Sequence, residues 1–344
     1  MKIAVAFGPF GEFHAFNRFD CTYLYKLKKE YDKVVAVVPY VAASLITYAD
    51  EMLCVSTEFL ARAKANYPYI LEQNERDVPG YVTSGFMKMA IEYINKHYLE
   101  CDFHYFHDGP YPCQEILDAL PPDCKIFSQN TESEYNKDMW GQFYIEFGNI
   151  GRCIKEGNFI YPFQEDKEKI DSQYKHLFTD KTFLAITRNF SFKAPMHNTR
   201  MEIKSHFEEM LNNGYGVVNI GFPCFPTGIE HGNYHEINSE DMTYSELLCL
   251  LYLSKGLIAD GMGGAISSHT RSNFPVILTD KMHPVYQGTW NDRVERGIFS
   301  KKACMWEEEP ITKEEFMNII NECASIETEK KYVSNNKCIM LDRL

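Results

Sequence analysis

Short, mostly apolar runs recur along this chain, each followed by a glycine-rich or polar turn and then a longer amphipathic stretch. In the first half these runs are Lys2–Phe7 (KIAVAF), Lys33–Pro39 (KVVAVVP), Glu51–Val55 (EMLCV), Cys101–His107 (CDFHYFH) and Lys125–Gln129 (KIFSQ). A strand that is apolar at successive positions is covered on both faces, as in a parallel sheet. Helices are predicted from the Gly8–Gly11 turn through Tyr31, over Val41–Ala49, over Thr57–Glu72 and over Ser84–Leu99. This alternation predicts one doubly wound α/β domain over residues 1–160.

The second half repeats the theme. Thr182–Thr187 (TFLAIT), Gly216–Gly221 (GVVNIG), Gly256–Ala259 (GLIA) and Asn273–Asp280 (NFPVILTD) read as strands. Arg200–Asn212 and Tyr244–Leu253 (YSELLCLLYL) read as helices, and Phe222–Asn238 as a long loop. Phe159–Phe163 is expected to be extended and Gln164–Thr179 a charged helix or linker, which sets a boundary near residue 160. A second α/β domain is thus predicted over residues 161–325, ending in an amphipathic helix at Thr312–Ile326. Thr312 and Glu315 there have the spacing of a capping box. Residues 326–344 form a C-terminal tail that either crosses back to the first domain or frays. There is no internal repeat.

Composition narrows the class. A chain of 344 residues with 45% hydrophobic and 14% aromatic content is globular and long enough for two cores. A formal charge of −13 disfavours general binding to nucleic-acid phosphate, while leaving room for a local basic cleft. The 11 cysteines are odd in number and include no C-x-x-C, which points to free thiols in a reducing compartment. The N-terminus lacks the pattern of a secretory signal, and no run of about 18 apolar residues occurs. A cytoplasmic protein without a membrane span is expected, in host cytoplasm if the source is viral.

Candidate chemistry lies where strands end. Side chains just past the carboxyl ends of parallel strands face the ligand crevice of an open α/β sheet. Asp108 holds such a place, either as a general base or as the Asp of an Asp-Gly-Pro turn. Glu12 and His14, after the first glycine turn, are rival bases. Gly8 and Gly11 allow a tight turn and close ligand approach, although the spacing is not G-x-G-x-x-G. His104 and His107 sit three apart on a strand and so face opposite sides, which disfavours a shared metal.

Arg188, Asn189 and Lys193 follow the strand at Thr182–Thr187, and Arg200 opens the next helix. Cationic forks beside a helix N-terminus suit a diphosphate, against the alternative of a solvated basic loop. After Gly256–Ala259 comes Asp260-Gly261-Met262-Gly263-Gly264-Ala265-Ile266-Ser267-Ser268-His269. Gly263 and Gly264 expose backbone amides, while Ser267, Ser268 and His269 add polar groups at a helix start. No D-x-D pair occurs, so no metal-binding residues and no tightly bound cofactor are expected.

Arg188-Asn189 after a strand, then GVVNIG, SELL, GLIADGMGG and His269 resemble the C-terminal domain of GT-B glycosyltransferases, a group built from two Rossmann-like doubly wound domains facing each other across a cleft. The heptosyltransferase-like and surface-polysaccharide sugar transferases are the nearest groups, over about a hundred residues. They carry D-S-G-x-x-H after a short strand; here Asp260-Gly261-Met262-Gly263 stands in its place and His269 comes later. A fainter similarity links Phe106-His107-Asp108 and Arg188…Arg200 to phage DNA β-glucosyltransferases. The resemblance implies sugar transfer from a nucleoside-diphosphate sugar, UDP-sugar favoured, to a hydroxyl on a glycan or on hydroxymethylated DNA. A nucleotide-sugar epimerase of the same fold and a non-catalytic sugar-nucleotide-binding protein remain open as alternatives.

Overall fold

The computed structural model describes residues 1–9, 16, 19–60, 80–107, 114–127, 160–186, 200–221, 227–239, 242–259, 275–278 and 312–344. The chain divides into two compact units. The first takes in Met1–Cys153 and Ser334–Leu344, with Thr243–Ser245; the second takes in Ile154–Met242 and Glu246–Val333.

The first unit holds a six-stranded, all-parallel sheet. Its strands are β1 (Ile3–Phe7), β2 (Lys33–Val37), β3 (Glu51–Cys54), β4 (Asp102–Phe106), β5 (Lys125–Phe127) and a last strand, β11 (Cys338–Met340), in the order β11-β3-β2-β1-β4-β5. Helices α1 (Tyr25–Glu30), α2 (Gly80–His97) and α3 (Gln114–Ala119) belong to the same unit. The two faces of β1 differ in kind. Ile3, Val5 and Phe7 join Val35, Val37, Leu53 and Tyr105 in a core packed against Phe86, Met87, Ala90 and Ile94 of α2. Ala4, Ala6 and Gly8 alternate with them, so the opposite face is floored by small residues.

That shallow face receives an unusual element. Phe19–Leu24 is a π-helix running directly into α1, and Phe19, Asp20, Cys21, Tyr23 and Leu24 of it are buried. Phe19 packs so closely on β1 that a Cβ placed at Gly8 would lie 2.9 Å from its ring and 2.8 Å from Val38. The glycine at the end of β1 is therefore required by packing inside the unit on its side-chain side.

The second unit carries a five-stranded parallel sheet of β6 (Thr182–Ile186), β7 (Gly216–Gly221), β8 (Tyr234–Asn238), β9 (Leu257–Ala259) and β10 (Val276–Leu278), in the order β10-β9-β6-β7-β8. Helices α4 (Gln164–Tyr174), α5 (Arg200–Asn212), α6 (Tyr244–Leu253) and α7 (Lys313–Ala324) accompany it. Phe183, Ala185, Val217, Ile258 and Ile277 pack under Phe207, Met210 and Leu211 of α5 and Phe316 and Ile320 of α7. The capping box expected at α7 is present: Glu315 donates its backbone N–H to Thr312 Oγ1, and its carboxylate accepts from the Thr312 N–H.

Two expectations change, and one alternative is decided. Residues 234–238, read as loop, form the edge strand β8, paired in parallel with β7 from Val217↔Tyr234 to Gly221↔Asn238. The helix expected over Val41–Ala49 is a 3-10 helix at Tyr40–Leu45. Of the two expectations for the tail, the first holds: Ser334–Leu344 belongs to the first unit, β11 pairs with β3, Asp342 accepts from the Ser56 N–H at 3.0 Å and from the Ser56 hydroxyl, and a 3-10 helix at Leu341–Arg343 follows. The seven cysteines among the described residues are free thiols. No helix of the described residues is long and apolar enough to cross a membrane.

Candidate functional site

In each sheet the strand order reverses once, and the strands on either side of the reversal leave a crevice at their carboxyl ends. In the first unit the reversal lies between β1 and β4, which are hydrogen-bonded neighbours with Phe7 opposite Tyr105. The segment after β1 begins at Gly8, whose N–H donates to Val37 O at 2.9 Å. The segment after β4 begins at His107, whose N–H donates to Phe127 O at 2.8 Å. Both segments thus leave one stretch of sheet edge, about one strand spacing apart.

The second unit repeats this between β6 and β9. Leu184 faces Leu257, Ala185 faces Ile258 and Ile186 faces Ala259. Strands β6 and β9 therefore end at the same level, at Ile186 and Ala259. Helix α5 returns the chain from β6 to the parallel strand β7. Its 13 residues span about 20 Å, close to the length of a six-residue strand, so its N-terminus at Arg200 lies near the carboxyl edge of the sheet.

A polar chain runs from the amino ends of β4 and β5, the edge opposite the crevice, onto the sheet face. Tyr31 donates its hydroxyl proton to Asp102 Oδ2 at 2.5 Å. The Tyr31 oxygen then accepts from His104 Nε2–H at 3.1 Å and from Lys125 Nζ at 3.2 Å. His104 Nδ1, left as the acceptor nitrogen, receives the Tyr23 hydroxyl at 3.0 Å. Burial, reinforced by the Lys125 charge, pulls the His104 pKa down to about 4, so the ring is neutral. The Tyr31 hydrogen bond, aided by Lys125, holds Asp102 below the usual carboxylate range. Both ring nitrogens of His104 are occupied by phenol oxygens, which removes it as a metal ligand. His107 faces the other way and lies beside Tyr105, its Nδ1 3.2 Å from the phenol oxygen.

A second buried polar group stands on the π-helix. Asp20 accepts from Thr47 N at 2.8 Å, Thr47 Oγ1 at 2.6 Å and Tyr48 N at 2.9 Å. Burial outweighs these donors and pushes its pKa up to about 6. Sequence reading passed over Asp20, Tyr23 and Tyr31, since an isolated Asp or Tyr before a lysine-rich helix looks like surface.

No protein-family model matches the chain, and no curated protein matches it by sequence. Solved structures do match its fold. A glycosyl transferase family 9 protein from Veillonella parvula aligns over 94% of this chain and 97% of its own, at 12% identity and a TM-score of 0.52. ADP-heptose LPS heptosyltransferase II of E. coli aligns over 94% and 98%, at 11% identity and a TM-score of 0.51. The chain has a GT-B glycosyltransferase-like fold.

Within this GT-B-like chain, the residues singled out from sequence fall mainly on segments that follow the strand ends. Gly8 is described and closes β1, held by Val38 and Phe19 on its side-chain side. Arg200 is the first residue of α5. Glu12, His14, Gly11, Asp108, Arg188, Asn189, Lys193, Gly263, Gly264, Ser267, Ser268 and His269 lie outside the described residues. In sequence, Glu12 and His14 follow β1 and Asp108 follows β4, two strands that pair with each other. Arg188 and Lys193 follow β6, and Gly263 and Gly264 follow β9, again two strands that pair. Among the described residues no group of three His, Cys, Asp or Glu is arranged to hold a metal ion.

Proposed function

We propose that this protein is a glycosyltransferase that moves a sugar from a nucleoside-diphosphate sugar, UDP-sugar being favoured, to a hydroxyl of an acceptor. The observation that carries the reading is the parallel pairing of Ile186 with Ala259. It ends β6 and β9 side by side at the reversal of the second sheet, where α/β sheets bind nucleotides, and the basic and glycine-rich stretches follow these two strands in sequence. Arg188, Lys193 and the backbone amides around Gly263 and Gly264 would hold the diphosphate and stabilise the charge it gains as the glycosidic bond breaks. The N-terminus of α5 adds a favourable field for an anion.

In the first unit Asp108, Glu12 and His14 are the candidates for the base. The base takes the proton from the acceptor hydroxyl as its oxygen attacks the anomeric carbon. The nucleoside diphosphate then leaves with the electron pair of the old bond. The acceptor is a glycan or a hydroxymethylated base in DNA. The charge of −13 favours the glycan. The lack of a D-x-D pair supports turnover without a divalent ion.

A thermal-shift panel of nucleotides and nucleotide sugars tests the class. A ligand at a hundred times its Kd stabilises the native state by about 2.7 kcal/mol, so UDP or a UDP-sugar should raise the melting temperature. Arg188→Ala and Lys193→Ala should weaken UDP binding about tenfold each, the loss of one charge-assisted bond. UDP binding at wild-type strength in both variants removes the phosphate assignment. Undiminished turnover in EDTA checks the metal statement.

A further inference from the structure

The π-helix Phe19–Leu24 touches both strands from which the proposed catalytic segments leave. Phe19 lies against Gly8 at the end of β1 and stacks at a tilt on Phe106 at the end of β4, with ring centroids 5.6 Å apart. Tyr23, one π-turn on, packs on Phe106 and on Phe127 of β5, each at 5.6 Å, and donates to His104 of β4. Asp20, between them, ties the same element to Thr47 and Tyr48, just before β3. One six-residue element is therefore fixed by ring packing to β1, β4 and β5 and by hydrogen bonds to β4 and to the approach to β3.

This is more anchoring than stability of the sheet demands. The backbone ladder already joins β1 to β4. The opposite face already supplies an aliphatic core. The i→i+5 π-helix is rare and occurs mostly as a single turn, frequently at functional sites. Here Phe19 and Tyr23 both pack on Phe106 at the end of β4, and from it Phe19 reaches to Gly8 after β1 and Tyr23 to Phe127 of β5.

We propose that Tyr23, Asp20 and Thr47 are positioning residues, which hold the π-helix as a wedge fixing the separation of Gly8 and His107, and through them the spacing of the acceptor-side segments. This rests on the glycosyltransferase reading. The wedge acts through the strand ends and touches no substrate. Its effect falls on the rate of the bound complex, because misplacement by about 1 Å costs up to a hundredfold in rate. Nucleotide binding by the second unit is untouched.

Tyr23→Phe removes one hydroxyl and keeps the ring. Thr47→Val removes the hydroxyl that donates to Asp20, and Thr47→Ser restores it. Hydrogen exchange at the Gly8 and His107 amides reads the strand ends directly, while kcat, KM for the sugar donor and Kd for UDP read function. Tyr23→Phe and Thr47→Val should each lower protection at both amides by about tenfold, with β6 and β7 unchanged. Each should lower kcat per folded molecule by about fivefold or more, at unchanged UDP affinity. Thr47→Ser should match wild type. Wild-type kcat in both variants, or undiminished protection at Gly8 and His107, overturns the proposal. A wild-type protein that neither binds UDP nor turns over any nucleotide sugar fails differently. It overturns the glycosyltransferase reading, and the catalytic role of the wedge with it, whatever the exchange data show.

Discussion

Two buried groups on one face of the first sheet should make the acid stability of that unit the difference of two opposed effects. His104 has its pKa drawn down from 6.5 to about 4 by burial and by Lys125. In the unfolded chain it takes up its proton near pH 6.5, while the native ring stays neutral. Its contribution to stability is therefore complete above pH 6.5 and lost as the pH falls toward 4. The full loss is about 3 kcal/mol. Asp20 behaves in the opposite way. Burial raises its pKa from 3.8 to about 6, so the native state binds the proton first on acidification. Its contribution is complete below pH 3.8 and disappears as the pH rises through 6, again about 3 kcal/mol in all.

Between pH 4.5 and 6.5 the two effects nearly cancel, and wild type should show a flat profile. His104→Gln keeps a donor and an acceptor for the two phenols and removes the titration. That variant should gain stability as the pH falls, by about 2 kcal/mol over the window, from Asp20 alone. Asp20→Asn should do the reverse and lose about as much, in addition to a pH-independent cost from the altered hydrogen bonds to Thr47 and Tyr48. Native-state hydrogen exchange of β1 and β4 amides, corrected for intrinsic rates, measures this unit separately from the other. Parallel pH profiles for wild type and both variants would refute the assignment of these groups.

Other outcomes follow from single contacts. A Cβ at Gly216 would lie 2.6 Å from Thr182 Oγ1, which accepts from Thr179 N. Gly216→Ala should therefore cost about 1–3 kcal/mol, and much less in a Thr182→Ala background, as a double-mutant cycle in urea would show. Thr312→Ala removes the cap of α7 and should cost about 1 kcal/mol by the same measurement. Asp342→Ala leaves the buried side of Ser56 without its acceptor and should cost about 1–3 kcal/mol, seen as faster exchange in β3.

The parallel strands were legible because covered strands leave few polar positions, as KIAVAF and GVVNIG show. Strand β8 was missed for the converse reason. It is an edge strand whose buried Tyr234 and Ile237 are separated by exposed or half-exposed His235 and Glu236, so YHEIN reads as a polar loop. Strand β11 is three residues long and finds its partner 286 positions away, at Met52–Cys54. No local pattern encodes that pairing. The π-helix was hidden because its apolar spacing is not the 3.6-residue period and because Asp20 buries its charge against backbone donors. Strand ends could be read as site stems because the parallel rule fixes where side segments emerge. Which stems adjoin depended on strand order, and only the pairing of β1 with β4 and β6 with β9 supplied it.

Strand β11 also sets the order in which the molecule can be finished. The sheet that opens at Ile3 gains its outer strand from Cys338–Met340, so its edge at β3 stays bare while the ribosome makes everything between. Only emergence of Cys338–Met340 closes it. A truncation before Cys338 would therefore strike a sheet whose other strands were made more than two hundred residues earlier.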